Sequence, residues 1–222
     1  MAGSNPSRRV LVWDLPLRLS HWVFALGVPA MWASVEFNHM DIHKTLGVIL
    51  LGFVAFRLIW GVLGSETARF ASFVRGPGAI LAYLRGQKGK GIGHNPLGAL
   101  SVVALLGLLS AQIAAGLFAQ DTDGLESGPL SHLVSYDTAD LAREIHGAVF
   151  NLLLAVIVVH LCAIVFYRVI KRDNLVAPMV TGWKAVEDDT PAPARAPLWR
   201  FAVAAVLAAA LAWWIGNGGP QG

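Results

Sequence analysis

The stretch at residues 139–170, ADLAREIHGAVFNLLLAVIVVHLCAIVFYRVI, constrains this chain more than any other. Between Gly147 and Tyr167 only Asn151 and His160 are strongly polar. A helix of that length, at about 1.5 Å per residue, reaches across a hydrocarbon layer of about 30 Å. His146 and His160 are 14 residues apart, so on a helix their imidazoles lie roughly 21 Å apart in depth and within roughly 40° of one face. One helix therefore offers two metal-ligating side chains to the same neighbours at two levels. Such groups are costly in hydrocarbon without a partner, so each marks a functional position.

The rest of the chain suits the same surroundings. Of 222 residues 55% are hydrophobic and 14% charged, against roughly 25% charged in soluble domains, and the mean hydropathy is +0.58. The expected class is an all-α membrane protein. A net charge of +3, with the basic residues gathered in loops, lends no support to nucleic-acid binding. The single cysteine, Cys162, lies inside an apolar run, which excludes an internal disulfide and predicts a buried structural thiol. The opening MAGSNPSRRV leads into a membrane segment without a cleavage-site pattern, so the first helix is expected to be retained.

Five apolar segments stand out, at about 17–35, 43–63, 95–119, 143–170 and 199–216. The first four predict a four-helix transmembrane bundle and the last a fifth, C-terminal transmembrane helix. Arg8, Arg9 and Arg18 open the first segment, Arg69, Arg75, Arg85, Lys88 and Lys90 fill the loop after the second, and Lys171, Arg172 and Lys184 follow the fourth. Acidic residues take the alternate loops: Glu36 and Asp41 in the first, then Asp121, Asp123, Glu126, Asp137, Asp140 and Glu144 before the fourth helix, against Arg143 alone. Because basic loops stay on the cytoplasmic side, this alternation predicts a cytoplasmic N-terminus and, after five crossings, an external C-terminus.

Residues 1–184 thus form the four-helix unit, 185–197 a Pro- and Ala-rich linker, and 198–222 the last helix, which has no ionisable group in its interior. That helix is expected to anchor the chain or to dock another subunit. In RFASFVRGPGAILAYLRG, apolar and basic residues interleave around Gly76-Pro77-Gly78, predicting short interfacial helices on either side of a break, with a plain connector at the headgroups as the alternative. Gly107, Ser110, Ala111, Ala114 and Ala115 make a small-residue stripe for close helix packing, and Gln112 is expected in an interhelical hydrogen bond.

Depth sorts the histidines. His21 lies a few residues into the first helix, near the cytoplasmic side and level with His160; His43 and His146 open the second and fourth helices from outside. Two bis-imidazole sites stacked across a membrane are what a pair of low-spin haems requires. Each of the four taken alone also fits packing or proton relay; the agreement of both pairs in depth favours iron. Arg57 lies 14 residues after His43, hence at the inner level, where a buried guanidinium needs an anion and a haem propionate fits. Arg18 and Lys44 are further propionate candidates, each with snorkelling to the headgroups as its alternative. His39, His94 and His132 are expected at the surface, with His94 also a candidate contact for a quinone.

The stretches VWDLPLRLSHW, HKTLGVILLGFVAFRLIWG, FVRGPGAILAYLRG followed by GHNPLGA, and EIHGAVFNLLLAVIVVHLCAIVFY ending in NLVAPMVTGWK together resemble the bacterial cytochrome b561 and nickel-iron hydrogenase cytochrome b superfamily over residues 11–184. The resemblance implies a di-haem bundle of the bacterial inner membrane, with two haem b ligated by His21 with His160 and by His43 with His146. Electron transfer between a quinone and a periplasmic redox partner such as a c-type cytochrome is the function implied. The outer loop, at a formal −5 between residues 119 and 144, would steer a cationic donor. The rival readings are superoxide oxidation at the outer haem using Lys44, a membrane-anchor cytochrome b of a hydrogenase or dehydrogenase docked through helix 198–216, and a metal or proton transporter relaying through His146 and His160. The fifth helix departs from the superfamily's pattern.

Overall fold

A computed structural model describes residues 7–87, 92–187 and 190–220. Lys88, Lys90 and the 188–189 part of the linker lie outside the described residues. In chain order the elements are β1 (Ser7–Leu11), α1 (Leu15–Glu36), α2 (Met40–Leu63), α3 (Phe70–Phe73), α4 (Pro77–Leu84), α5 (Pro96–Phe118), a 3-10 turn at Ser131–Leu133, α6 (Tyr136–Val169), α7 (Val176–Thr181), β2 (Trp183–Glu187) and α8 (Leu198–Gly216). Each of the five apolar segments is a helix. Among the described residues, α2, α5, α6 and α8 are long and apolar enough to cross a membrane. The 22-residue α1 is not among these four; Arg18, His21 and the internal Pro29 dilute its hydropathy. The chain is a mostly helical, multi-pass membrane protein.

Helix boundaries follow local chemistry. Asp14 caps α1, its Oδ1 accepting from the Leu17 N–H at 2.8 Å, with Pro16 in the first turn. Its Oδ2 accepts from Trp60 Nε1 at 3.0 Å and Ser65 Oγ at 2.6 Å, tying the start of α1 to the end of α2. Around that tie lie Val12, Trp13, Leu17, Phe56 and Trp60, with Ala204 and Ala208 of α8. Asn95 caps α5 through the Gly98 N–H at 2.7 Å, while its Nδ2 donates to Tyr167 Oη at 3.0 Å. That phenol also meets Tyr83 Oη at 2.7 Å, holding α4 against the end of α6. Short helices therefore flank the Gly-Pro-Gly break, as expected. Helix α6 starts at Tyr136, because Ser135 supplies a cap and its acidic first turns are helical without being apolar.

Two features depart from the expectations. Strand β1 pairs antiparallel with β2, from Ser7 opposite Glu187 to Leu11 opposite Trp183, so the fold is not purely helical and Ala185–Glu187 are ladder, not linker. A pairing between segments some 175 residues apart has no local signature in the sequence. Helix α8 packs along α2: a Cβ added at Gly52 would sit 3.3 Å from the Ala212 Cβ, so the glycine sets the approach. The end of the bundle that carries β1 and β2 is its sheet end.

Candidate functional site

At the end opposite the sheet, His43 from the first turns of α2 and His146 from α6 face each other across the bundle, ring centroids 6.3 Å apart and planes 76° apart. Their Nδ1 atoms are already engaged. His43 Nδ1 lies 3.1 Å from the Met31 carbonyl and 3.3 Å from Ser34 Oγ, and that hydroxyl itself donates to Met31 O at 2.7 Å. His146 Nδ1 lies 2.9 Å from the Gln112 carbonyl of α5. A carbonyl accepts only, so both Nδ1 atoms carry the hydrogen and both Nε2 atoms keep a lone pair. Fixing the tautomer through the distal nitrogen is how ligating imidazoles are oriented. Gly116 makes room: a Cβ there would lie 2.8 Å from His146 Cε1.

At the sheet end, His21 of α1 lies within electrostatic range of His160 of α6. His160 Nδ1 meets Ser101 Oγ of α5 at 3.0 Å, while His21 Nδ1 is buried with no partner among the described residues. Arg57 is only 6% exposed. Its Nη1 donates to the Ala68 carbonyl at 3.3 Å and its guanidinium lies 5.0 Å from the Phe70 ring centre, so it does not snorkel. Arg18 donates through Nη1 to the Val180 carbonyl and keeps a buried Nε that has no partner among the described residues. Lys44 pairs at 2.5 Å with Glu126, both about 40% exposed.

The remaining histidines divide. His39 is exposed at the N-cap of α2, and His132 is exposed near the Pro220 carbonyl. His94 is not a surface residue. Its ring lies between Trp13 and Phe73, each centroid 4.5 Å away, with Nδ1 buried and no partner for it among the described residues. Burial, then the nearby Arg57 and His21 charges, push its pKa down to about 3. The GHNP tetrapeptide signalled only the cap that Asn95 provides. Cys162 is exposed, not buried, and Gln112 engages through its backbone carbonyl, its Oε1 being buried without a partner among the described residues.

A metal–imidazole bond of about 2 Å on each side, plus about 1 Å from nitrogen to ring centre, predicts centroids about 6 Å apart around one ion. The His43–His146 pair meets that spacing with its donor atoms in the required protonation state. Among the described residues no cluster of three or more His, Cys, Asp or Glu could hold a metal ion, whereas facing pairs of histidines are the donor set that a six-coordinate haem iron takes. A multi-pass helical protein with such pairs belongs to the class of membrane haem proteins.

The profile of the family described as prokaryotic cytochrome b561 matches residues 12–182. The chain belongs to this family, whose members carry b-type haem and transfer electrons in membranes. Among curated proteins it is similar to the probable Ni/Fe-hydrogenase B-type cytochrome subunits of Azotobacter chroococcum mcd 1, at 24% identity, and Azotobacter vinelandii, at 25%, each alignment covering 82% of this chain and 91% of the relative. No solved structure matches it. The family match ends before β2, leaving α8 outside.

Proposed function

We propose that this cytochrome holds two b-type haems, ligated by His43 with His146 and by His21 with His160, and passes electrons between the two membrane faces. The observation that carries the reading is the His43–His146 pair, 6.3 Å apart with both Nδ1 atoms occupied. A haem bound there would supply one-electron chemistry, with these four imidazoles holding the iron. The Met31 and Gln112 carbonyls hold the far-end rings in one tautomer and one orientation, and Ser101 Oγ fixes the orientation of the His160 ring. Arg57 and Arg18 supply positive charge for propionates at the sheet end, and the apolar helices exclude water. Helix α1 serves as a further crossing, with the N-terminus and sheet end cytoplasmic and the acidic loops on the periplasmic side of a bacterial inner membrane. The four-helix unit, closed by the ladder that runs to Glu187, is then the haem-carrying part, and 198–222 is an added helix joined to it by the rest of the linker.

Electrons would pass between a quinone, for which His94 in its aromatic slot is the candidate contact, and a redox partner at the acidic end. The names of the two relatives favour a hydrogenase-type membrane complex over a soluble c-type cytochrome. Superoxide oxidation is less well supported, since the lysine it needs is already paired with Glu126. The test is haem content by pyridine haemochromogen assay. Two haems per chain are expected, falling to one in His21→Ala and one in His43→Ala. A colourless purified protein would overturn the reading and leave a histidine relay in its place.

A further inference from the structure

Six buried side-chain nitrogen or oxygen atoms lack a partner among the described residues, and four of them are nitrogens at the sheet end: Arg18 Nε, His21 Nδ1, Arg69 Nε and His94 Nδ1. The other two, Gln112 Oε1 and Asp121 Oδ1, are acceptors on α5 and in the loop after it. Buried polar groups in a folded chain are nearly always paired, so nitrogens gathered at one end without an acceptor mark the place of a group that accepts.

The segment after α2 gathers this set. Arg57 Nη1 donates to the carbonyl of Ala68, the residue before Arg69, and the Phe70 ring lies beside its guanidinium. Phe73 of the same segment lies against His94, and His94 is within electrostatic range of both Arg57 and His21. Arg57 is buried, and among the described residues no carboxylate pairs with it. Asp14, the acid within electrostatic range, is already taken up by the Leu17 N–H, Trp60 and Ser65. A guanidinium held away from water needs an anion, and a planar carboxylate matches its fork of donors.

We propose that Arg69 and His94 complete, with Arg57, a seat for the propionate carboxylates of the sheet-end haem. Arg69 supplies a second positive charge, and His94 supplies a neutral donor through Nδ1, its Nε2 staying free for another contact. This role rests on a haem held between His21 and His160. A lipid phosphate offers the same oxygen chemistry. Here, however, Trp13 and Phe73 enclose His94 and Arg57 is buried, so the acceptor belongs inside the bundle beside His21.

The test is potentiometric titration of the full-length, haem-loaded protein in neutral detergent and phosphate-free buffer, the sheet-end transition being the one that His21→Ala abolishes. Arg69→Gln should make its reduction less favourable by about tenfold, a fall of about 59 mV for one electron, because a compensating charge is gone. The far-end transition should stay where it is, and Arg69→Lys, which keeps the charge, should recover most of the loss. His94→Leu should lower the same transition by about threefold, and His94→Gln, which keeps an N–H donor, should not. Arg75→Gln removes an exposed charge from the same segment and should move neither. Should Arg69→Gln lose the sheet-end haem outright, its retention in Arg69→Lys supports the seat and its loss in both overturns it.

Two transitions with neither moved by Arg69→Gln, both moved alike, or an equal shift in Arg75→Gln would overturn the seat while leaving both haems in place. A shift that develops only when phosphate or anionic lipid is added would assign the cluster to a headgroup and overturn it too. A wild type without the sheet-end transition would remove the haem itself, and the seat with it.

Discussion

Gly116→Ala tests whether the far-end pair is a built ligand site. The added methyl would lie 2.8 Å from His146 Cε1 and 3.0 Å from Nδ1, whereas carbon atoms in ordinary contact stand about 3.5–4.0 Å apart. The imidazole must therefore retreat from α5 by about 0.7 Å. That motion stretches its 2.9 Å hydrogen bond to the Gln112 carbonyl to about 3.6 Å, beyond useful range. Overpacking costs about 1–3 kcal/mol, and the lost hydrogen bond adds about 0.5–1.5 kcal/mol. Loss of an orienting partner typically weakens metal binding about 10–100-fold. Haem content should fall towards one per chain while the His21–His160 site keeps its own. Gly107→Ala, at an exposed α5 position with nothing within 4 Å, is the control and should raise helix stability by about 0.5–1 kcal/mol. Full haem content and an unshifted far-end potential in Gly116→Ala would refute the reasoning.

Asp14→Ala removes the cap of α1 and strands Trp60 Nε1 and Ser65 Oγ, so thermal unfolding in detergent should show a loss of about 2–4 kcal/mol; an unchanged midpoint would contradict the tie. His94 titrates near 3 in the folded protein against 6.5 ordinarily, so the unfolded chain binds a proton that the folded one refuses. Its contribution is complete above about pH 6.5 and drains as pH falls towards 3, at up to about 1.4 kcal/mol per pH unit. His94→Phe should flatten the dependence of the unfolding midpoint between pH 7 and 5. Electron entry from a cationic donor at the acidic end should slow as ionic strength rises, because the Debye length shrinks to about 8 Å at 0.15 M; a salt-independent rate would remove steering. Glu126→Gln should leave stability unchanged within about 1 kcal/mol, the pair with Lys44 being half-exposed.

The helices were legible because hydropathy and length are properties of a window, and the depth of His43 and His146 because helical rise is nearly constant. What holds those rings was not. The partners of His43 and His146 are the backbone carbonyls of Met31 and Gln112, and every residue has a carbonyl, so no side-chain pattern announces the ones used. Gly116 has no signature in the sequence for a related reason. The small-residue stripe runs through Gly107, Ala111 and Ala115, whereas the close approach to His146 lies one residue beyond it. His94 looked like a loop residue because capping chemistry surrounds it; only the chain reversal that brings Trp13 and Phe73 together encloses it. The sheet between β1 and β2 and the seating of α8 on α2 depend likewise on contacts between distant segments.

A potentiometric titration of the visible absorbance, followed in the wild type, His21→Ala and His43→Ala, tests the central claim most directly. Two low-spin transitions are predicted in the wild type, with His21→Ala abolishing one and His43→Ala the other. A single transition in the wild type, or both variants losing the same one, would contradict the account.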